Sequence, residues 1–222
     1  MELAAFLEIR PGVTAVIGGG GKTTLLRALG EELARKHRVL LCTTTRIFPF
    51  PQMPCAGTLA ELDALRGEYR LLCAGRRLPG IGKLAALDAS MADLAARFDY
   101  VLVEADGSAQ RPLKAHAAHE PVIPAEADQI ICVVGASGFG KPVLEVAHRP
   151  ELYARLAGVS EMEAATPQTE ALVLKAEGLH DRVYVNQAET HADLKKAGEL
   201  ADLLDCPVLA GSLHRREYLS CW

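Results

Sequence analysis

The stretch Val13-Thr-Ala-Val-Ile-Gly-Gly-Gly-Gly-Lys-Thr-Thr24 decides the fold of this chain. A β-branched apolar run leads into four consecutive glycines, and a helical pattern follows the lysine. This order predicts a strand, a loop that surrounds a phosphate, and a helix whose positive end points at the anion. Glycines leave backbone N–H groups open to phosphate oxygens, Lys22 supplies charge for the β- and γ-phosphates, and the Thr23 hydroxyl can bind Mg²⁺. The predicted nucleotide-binding residues are Gly18, Gly19, Gly20, Gly21, Lys22, Thr23 and Thr24.

The glycine loop is a variant of the common pattern. The spacing G-x-x-x-x-G-K-[ST] would place its first glycine at position 16, where Val16 stands. The match is to G-G-x-G-K-T-T, which occurs in nucleotide-dependent switch and assembly ATPases. Those proteins often carry a second lysine just before the glycines; Ile17 stands there, so a lysine donated across a dimer is not supported. A homodimer of another kind stays open.

Composition limits the class of protein. Half of the 222 residues are hydrophobic and the net charge is −4, which argues against nucleic acid as the main partner. No apolar run reaches the roughly 18 residues that a membrane span needs, and the first residues lack the basic segment of a signal peptide. The six cysteines form no C-x-x-C pair. We therefore expect a cytoplasmic protein with reduced thiols, no membrane contact and no structural metal. The cysteines are Cys42, Cys55, Cys73, Cys132, Cys206 and Cys221.

Strand-like and helix-like segments alternate along the chain, and most of the strand-like ones are continuous apolar runs. This alternation predicts a three-layer α/β fold of the P-loop NTPase kind, with a mostly parallel sheet and helices on both faces. No repeat or linker interrupts it, so we expect a single domain over 1–222. The predicted strands are 13–18, 38–43, 69–74, 99–104, 129–134, 182–186 and 207–210. The predicted helices are 22–36, 58–66, 88–97, 150–157, 167–177 and 191–204.

Two segments are less regular. Residues 70–84 can also form a hairpin, because Pro79-Gly80 is a turn signal between two short apolar runs. Residues 48–54 contain three prolines, which predicts a stiff surface loop, since proline donates no backbone hydrogen bond.

The segment Tyr100-Val-Leu-Val-Glu-Ala-Asp-Gly-Ser108 carries the second signal. An apolar strand that ends in acids is where a phosphate-binding fold places its metal ligand. Glu104 is the first choice for Mg²⁺ and Asp106 the second. Together with Lys22 they form the predicted catalytic set, in which Thr23 and Glu104 hold the metal. An ordinary Asp-Gly turn is the alternative, and the upstream glycine loop favours function.

Other polar groups surround these motifs. Thr43-Thr-Thr45 ends the second predicted strand, which is expected beside the first, so its hydroxyls can reach Mg²⁺ or a phosphate. A β-branched strand end is an equal alternative. Arg111 can neutralise phosphate or hold an anionic substrate. His116 and His119 read as loop residues near the nucleotide, and the role of His148 stays open.

Asn186 ends a late strand in Val183-Tyr-Val-Asn-Gln-Ala-Glu189. Nucleotide switches often carry N-[KQ]-x-D here, where the asparagine amide and the acid read a purine. Asn186 is therefore predicted to bind the base of ATP or GTP. Glu189 departs from the aspartate of that pattern, which weakens a guanine pocket. The glycine-rich segment 135–141 is interpreted as a flexible active-site loop, because Pro142 prevents a helix from starting in the P-loop manner.

Taken together these motifs resemble the YqeC family, and the resemblance runs along nearly the whole chain. Its proteins are associated with selenium-dependent molybdenum hydroxylases as accessory proteins. The resemblance implies a P-loop nucleotide-binding protein whose partner is a molybdenum hydroxylase or its molybdenum cofactor. The motifs that carry it are Ile17-Gly-Gly-Gly-Gly-Lys-Thr-Thr24, Thr43-Thr-Thr45, Val103-Glu-Ala-Asp-Gly-Ser108, Pro112-Leu-Lys114, His119-Glu-Pro-Val-Ile-Pro124, Gly140-Lys-Pro142, His148-Arg-Pro150 and Val185-Asn-Gln187.

Three functions are compatible with these motifs. The first is an ATPase, GTPase or phosphotransferase that requires Mg²⁺ and assists maturation of such a hydroxylase, with residues 43–54 responding to the nucleotide. The second is an ATP-dependent ligase, because the loop and a strand-end glutamate also resemble the central domain of the Mur ligases. The third is a non-catalytic module that delivers a cofactor under nucleotide control.

Overall fold

The computed structural model describes residues 2–220 and has an α/β fold in which most strands pair in parallel. The contacts divide it into two compact units. The first contains residues 2–16, 23–107 and 122–129, and the second contains 17–22, 108–121 and 130–220. The predicted α/β class and the mostly parallel pairing are confirmed, and the single domain over 1–222 stays a prediction. The sixth cysteine, at position 221, lies outside the described residues.

The regular elements of residues 2–220 are numbered in chain order. The α-helices are α1 (Leu3–Phe6), α2 (Lys22–Leu33), α3 (Leu59–Leu65), α4 (Met91–Ala95), α5 (Val143–Val146), α6 (Pro150–Ala157), α7 (Pro167–Glu177) and α8 (His191–Ala201). The strands are β1 (Gly12–Gly18), β2 (Val39–Thr43), β3 (Arg46–Ile47), β4 (Cys55–Ala56), β5 (Leu71–Ala74), β6 (Arg76–Leu78), β7 (Lys83–Ala85), β8 (Tyr100–Glu104), β9 (Leu113–Lys114), β10 (Gln129–Gly135), β11 (Ala147–His148), β12 (Arg182–Asn186), β13 (Val208–Ser212) and β14 (Glu217–Ser220).

The first unit contains a parallel array of strands in the order β1-β8-β2-β5-β4. The last residue of β8, Glu104, lies opposite Val16 of β1 on one side and Thr43 of β2 on the other. The expectation that β2 lies directly beside β1 is therefore wrong. The place of a parallel strand depends on where its crossover connection packs, and order along the chain does not determine it.

Short helices close the apolar side of this array. Thr58 and Ser90 cap the starts of α3 and α4, and their side chains accept hydrogen bonds from backbone N–H groups three residues later. Such caps satisfy orphan amides at the helix start, so even short helices form here. Leu62 and Leu94 then pack into one buried apolar cluster with strand side chains such as Leu40. Full burial of each leucine contributes about 1.5–3 kcal/mol.

The second unit orders its strands β14-β13-β12-β10, parallel except for β14. Gly135 and Asn186 are register partners at the carboxyl ends of β10 and β12. The helices α6 and α7 both begin with a proline and end before a glycine in the left-handed conformation, Gly158 and Gly178. Proline suits the first helical turn and glycine accepts a positive φ, so the predicted bounds 150–157 and 167–177 are confirmed.

The two irregular segments also have defined structures. Residues 70–84 contain both the predicted strand and the alternative hairpin, one after the other. β5 joins the parallel array, and β6 and β7 then form an antiparallel hairpin around Pro79-Gly80. Residues 48–54 form a loop, as predicted. Phe48, Pro51 and Gln52 of this loop are exposed, whereas the Phe50 side chain is buried. No helix among residues 2–220 is long and apolar enough to cross a membrane.

A buried acid in the second unit makes stability depend on pH. Glu170 of α7 is fully buried near Tyr153, and burial raises its pKa to about 8, with a smaller contribution from Glu177. The pKa in the folded state lies above the ordinary value of 4.5. The folded state therefore holds a proton that the unfolded chain releases above its own pKa. This contribution is complete below about pH 4.5 and is lost as pH rises through about 8.

We expect Glu170→Gln to flatten this pH dependence, because an amide resembles the protonated acid and does not ionise. The difference in free energy of unfolding between variant and wild type should shift in favour of the variant by about 1 kcal/mol per pH unit between pH 5 and 8. Urea unfolding at a series of pH values measures it, with the exposed Glu68→Gln as control. An unchanged difference across this range would mean that Glu170 is ionised in the fold.

Candidate functional site

The backbone of the glycine loop requires glycine. Gly18, Gly20 and Gly21 have φ values of +95°, +59° and +114°, which side chains other than glycine adopt rarely. Gly19 has an ordinary φ, but a Cβ there would collide with the carbonyl oxygen of Pro112. A Cβ at Gly20 would likewise meet the backbone of Gly135. The backbone of Pro112 and that of Gly135 therefore approach the glycine loop so closely that it has no room for side chains at Gly19 and Gly20.

Backbone hydrogen bonds hold two of the loop residues. The Gly19 N–H donates to the Val133 carbonyl oxygen at 2.8 Å, and the Gly20 N–H donates to the Arg111 carbonyl oxygen at 3.2 Å. Both partners belong to the same unit as residues 17–22. The loop is thus attached to the end of β10 and to the segment that precedes β9.

The Lys22 side chain folds back over the glycine loop that precedes it in the chain. Its ammonium donates to the Gly18 carbonyl oxygen at 2.6 Å and to the Ser108 hydroxyl at 3.1 Å. The side chain is 3% exposed, although it carries a charge. Buried lysines are uncommon unless they are paired, and here hydrogen bonds hold the ammonium in place.

Thr23 and Glu104, which were predicted to share a metal, lie together in the first unit. The Thr23 hydroxyl donates to the Glu104 carboxylate at 2.7 Å. The backbone carbonyl oxygen of Glu104 accepts from the Thr43 hydroxyl at 2.8 Å and from the Thr44 N–H at 3.2 Å. Hydrogen bonds to its carbonyl oxygen therefore hold the Glu104 backbone in place, while its carboxylate contacts Thr23 in the first turn of α2. Thr24, the next residue of that turn, is exposed.

Asp106 and Ser108 follow β8 in the chain. Asp106 is fully buried, and Ser108 accepts the hydrogen bond from Lys22. Between Ser108 and Arg111, both Ala109 and Gln110 have positive φ values, 48° and 61°. Residues other than glycine rarely adopt this conformation, which costs about 1 kcal/mol each. Ser108 had no predicted role, because its contact with Lys22, 86 residues earlier, depends on the tertiary fold.

Asn186 is in contact with the loop, and both ends of its amide are engaged by backbone. Its Nδ2 donates to the Gly20 carbonyl oxygen at 2.7 Å, and its Oδ1 accepts from the Leu213 N–H at 3.1 Å. Glu189 accepts from the Ser212 hydroxyl at 2.8 Å and pairs with Arg215 at 3.0 Å. Base reading by Asn186 stays a prediction, and the contacts show directly that this side chain holds the glycine loop.

His116, His119 and His148, the three histidines named in the sequence analysis, lie in or beside two ion-pair groups of the second unit. His116 is buried, and its Nδ1 lies 2.7 Å from the Glu177 carboxylate. Glu120 pairs with Lys114 at 3.2 Å and with Arg149 at 3.1 Å. These two cations outweigh the effect of burial and lower the pKa of Glu120 to about 2.

His119 and His148 lie beside that Glu120 group. His119 Nε2 is 3.4 Å from the Arg149 guanidinium, and His148 is the register partner of Lys114. Among residues 2–220, no group of three or more His, Cys, Asp or Glu residues could hold a metal ion.

The segment 135–141 packs closely against the glycine loop. Gly135 donates its N–H to the Pro112 carbonyl oxygen at 2.8 Å, and a Cβ on it would meet Gly20. Residues Ala136–Gly138 form a short 3-10 turn. The start of this segment therefore supports the glycine loop by packing against it. α5 begins at Val143, directly after Pro142.

The strand, glycine loop and lysine-led helix, set in an α/β fold, give the chain the local architecture of P-loop proteins. The chain belongs to the YqeC family, because the model of that family, described as YqeC protein, matches residues 14–151. The protein YqeC of Escherichia coli (strain K12) is 34% identical over 160 residues, which cover 68% of this chain and 62% of that relative. The match thus spans less than two thirds of the relative's length.

Among solved structures, the crystal structure of HypB from Helicobacter pylori in complex with nickel is a distant likeness. It aligns with 12% identity and a TM-score of 0.40, over 95% of this chain and 82% of that one.

Proposed function

We propose that this chain binds a nucleoside triphosphate with Mg²⁺ at residues 18–24 and hydrolyses or transfers the terminal phosphate. The proposal rests mainly on the 2.7 Å contact between Thr23 and Glu104. The Thr23 hydroxyl, on the residue after the loop lysine, lies beside the Glu104 carboxylate. Two such oxygen groups together suit a hard cation such as Mg²⁺.

The phosphate side of the proposal is supported by the loop and Lys22. The Gly19 and Gly20 N–H groups are engaged in holding the loop, so the phosphate contacts would come from residues at the start of α2 and from the Lys22 ammonium. A helix start favours an anion through its aligned peptide dipoles. The Gly18 oxygen and the Ser108 hydroxyl at present hold the ammonium, and a phosphate oxygen would replace them.

The metal side of the proposal concerns Thr23 and Glu104. These residues fit Mg²⁺ by donor type, since both offer oxygen. When bound, the ion would neutralise charge on the phosphates during transfer. Asp106 is two residues beyond Glu104 and is the second acidic candidate, with a role in positioning or in proton transfer.

The biological context is proposed from the family. We propose that the reaction assists maturation of a selenium-dependent molybdenum hydroxylase, through contact with that enzyme or with its molybdenum cofactor. The family resemblance supports this link, and the nucleotide site described above would provide its energy or its timing.

A thermal-shift panel of ATP, GTP and their diphosphates, each with and without Mg²⁺, tests nucleotide binding. A ligand at 100 times its dissociation constant should raise the free energy of unfolding by about 2.7 kcal/mol. Phosphate release in the same samples then separates the functions. Slow release supports a hydrolase, and release that requires an added carboxylate supports a ligase. Binding without release, even when partner enzyme is added, supports a delivery module. The absence of any nucleotide shift would contradict the proposal.

The choice of base gives a further prediction about Asn186. Glu189 is longer than the usual aspartate and is held by Ser212 and Arg215, so we expect ATP to bind at least as tightly as GTP. We expect Asn186→Ala to weaken both by the same factor, about fivefold, because it removes a hydrogen bond to the loop worth roughly 1 kcal/mol.

Competition titrations of the two Mg²⁺ complexes measure both effects. A GTP preference above about tenfold in the wild type, about 1.4 kcal/mol, would show that the guanine pocket is intact. A loss in Asn186→Ala that falls on one base alone would assign Asn186 to base reading. Gln187→Ala is the matched control, because that neighbouring amide side chain accepts its hydrogen bond from Ser137.

A further inference from the structure

Two cysteines that are distant in the sequence are neighbours in the first unit. Cys55 of β4 and Cys73 of β5 are register partners in a parallel pair of strands. The Cys73 N–H donates to the Pro54 carbonyl oxygen at 2.9 Å, and the Gly75 N–H donates to the Ala56 carbonyl oxygen at 3.0 Å. These ladder bonds lie on either side of the cysteine pair. Paired residues on neighbouring strands direct their side chains to the same face, so the two thiols are held together.

The two thiols interact and differ in character. The interaction between the two thiols lowers the pKa of Cys55 and raises that of Cys73 well above its usual range. Burial opposes the lowering of the Cys55 pKa and adds to the raising of the Cys73 pKa. The nearby Arg77 guanidinium also favours the Cys55 thiolate, whereas Glu61 opposes it. Cys55 is half-buried and Cys73 is buried.

Cys42 and Cys206 differ from this pair in the character of their thiols. Burial raises the pKa of Cys42 to about 12. Burial also raises the pKa of the partly exposed Cys206. A thiolate is the reactive form of cysteine, so Cys55 is better suited to attack an electrophile than Cys42, Cys73 or Cys206. Cys73 is its register partner on the neighbouring strand.

We propose that Cys55 and Cys73 form a dithiol site that reacts with low-molecular-weight disulfides, with Cys55 as the attacking sulfur and Cys73 as the resolving one. The Cys55 thiolate attacks one sulfur of the disulfide, whose S–S bond breaks and releases one thiolate. A mixed disulfide then joins Cys55 to the other half. Cys73 attacks Cys55 Sγ, the second thiol leaves with the Cys73 proton, and a Cys55–Cys73 disulfide remains. Two cysteine sulfurs are oxidised and the small disulfide is reduced to two thiols.

The backbone accommodates the product. Neighbouring strands lie about 4.8 Å apart, and a disulfide requires Cα atoms roughly 4.4–6.8 Å apart. The bond would link β4, which directly follows the three-proline loop 48–54, to the inner strand β5. Oxidation would thereby fix the end of that loop. The site is independent of the nucleotide proposal, because it uses none of residues 18–24.

Intact-mass and peptide mass spectrometry after incubation with oxidised glutathione test the proposal. The full chain with Cys221→Ser is the parent, since position 221 lies outside the described residues. We expect the parent to lose two hydrogens and to yield a peptide pair linked through Cys55 and Cys73. In Cys73→Ser a glutathione adduct should persist on Cys55, and in Cys55→Ser neither product should form. Cys42→Ser, which removes a buried thiol elsewhere, should react like the parent.

A labelling experiment on the parent avoids dependence on the folding of the variants. With limiting iodoacetamide at pH 7.5, we expect Cys55 to be alkylated before Cys42, Cys73 and Cys206. Prior oxidation by glutathione should protect Cys55, and dithiothreitol should restore its labelling. Alkylation of Cys206 first, or an adduct on Cys55 in the parent that never resolves to the linked pair, would overturn the proposal.

Discussion

Lys22→Ala is expected to abolish the nucleotide-induced rise in melting temperature. Nucleotide at 100 times its dissociation constant should stabilise the wild type by about 2.7 kcal/mol, which corresponds to roughly 5–10 °C for a chain of this size. The reason is that the ammonium is the only Lys or Arg charge that residues 18–24 contribute. It is also positioned over the loop, 2.6 Å from the Gly18 oxygen.

Lys22→Met is the matched variant for this test, because it keeps the buried aliphatic stem and removes only the charge. The apo melting temperature of Lys22→Met should stay close to that of the wild type, while the nucleotide shift disappears. The exposed Lys195→Ala should retain the full shift. Nucleotide affinity that survives in both Lys22 variants would remove the phosphate-binding interpretation of the loop.

Glu104→Gln is expected to remove the additional stabilisation that Mg²⁺ gives to the nucleotide complex, and to leave binding without metal unchanged. The amide keeps the size of the side chain and can still accept the hydrogen bond from Thr23. It loses the charge that a hard cation prefers. Thermal shifts with nucleotide, measured across a Mg²⁺ titration and in the presence of EDTA, give the two quantities separately.

Asp106→Asn decides between the two acids. We expect it to keep the Mg²⁺-dependent part of the shift, because Glu104 is the acid in contact with Thr23. If Asp106→Asn loses that part and Glu104→Gln keeps it, the metal ligand is Asp106. Thr23→Val, which is similar in volume and lacks the hydroxyl, should weaken the Mg²⁺ effect together with Glu104→Gln.

The helices that the sequence predicted best are those with complete start and stop signals. α6 and α7 carry proline at the start and glycine just after the end, so local chemistry sets their bounds. α2 was predicted to reach residue 36 but ends at Leu33, where no glycine or proline marks the stop. The small strands β3, β9 and β11 were missed, because two residues are too few to show a period.

The site was predictable where it depends on one stretch of chain. The glycine loop and Lys22 are contiguous, and the strand end at Glu104 was recognisable from its apolar run. Pairings that depend on tertiary register were not predictable. The central place of β8, the contact of Asn186 with Gly20 and the pairing of Cys55 with Cys73 all depend on which strands become neighbours. Spacing along the chain contains no information about that choice.

The position of β8 has a consequence for synthesis on the ribosome. In the first unit both β1 and β2 use β8 as a partner: Gly12 and Val39 each lie opposite Tyr100. A nascent chain that has emerged only as far as α4 therefore holds β1 and β2 with the strand that joins them still missing. Bringing β8 back to β1 and β2 closes a long loop of chain. The entropic cost of this closure is not offset until the strands have paired. The glycine loop precedes most of the chain in synthesis, yet Thr23 can meet Glu104 only after this late strand has inserted.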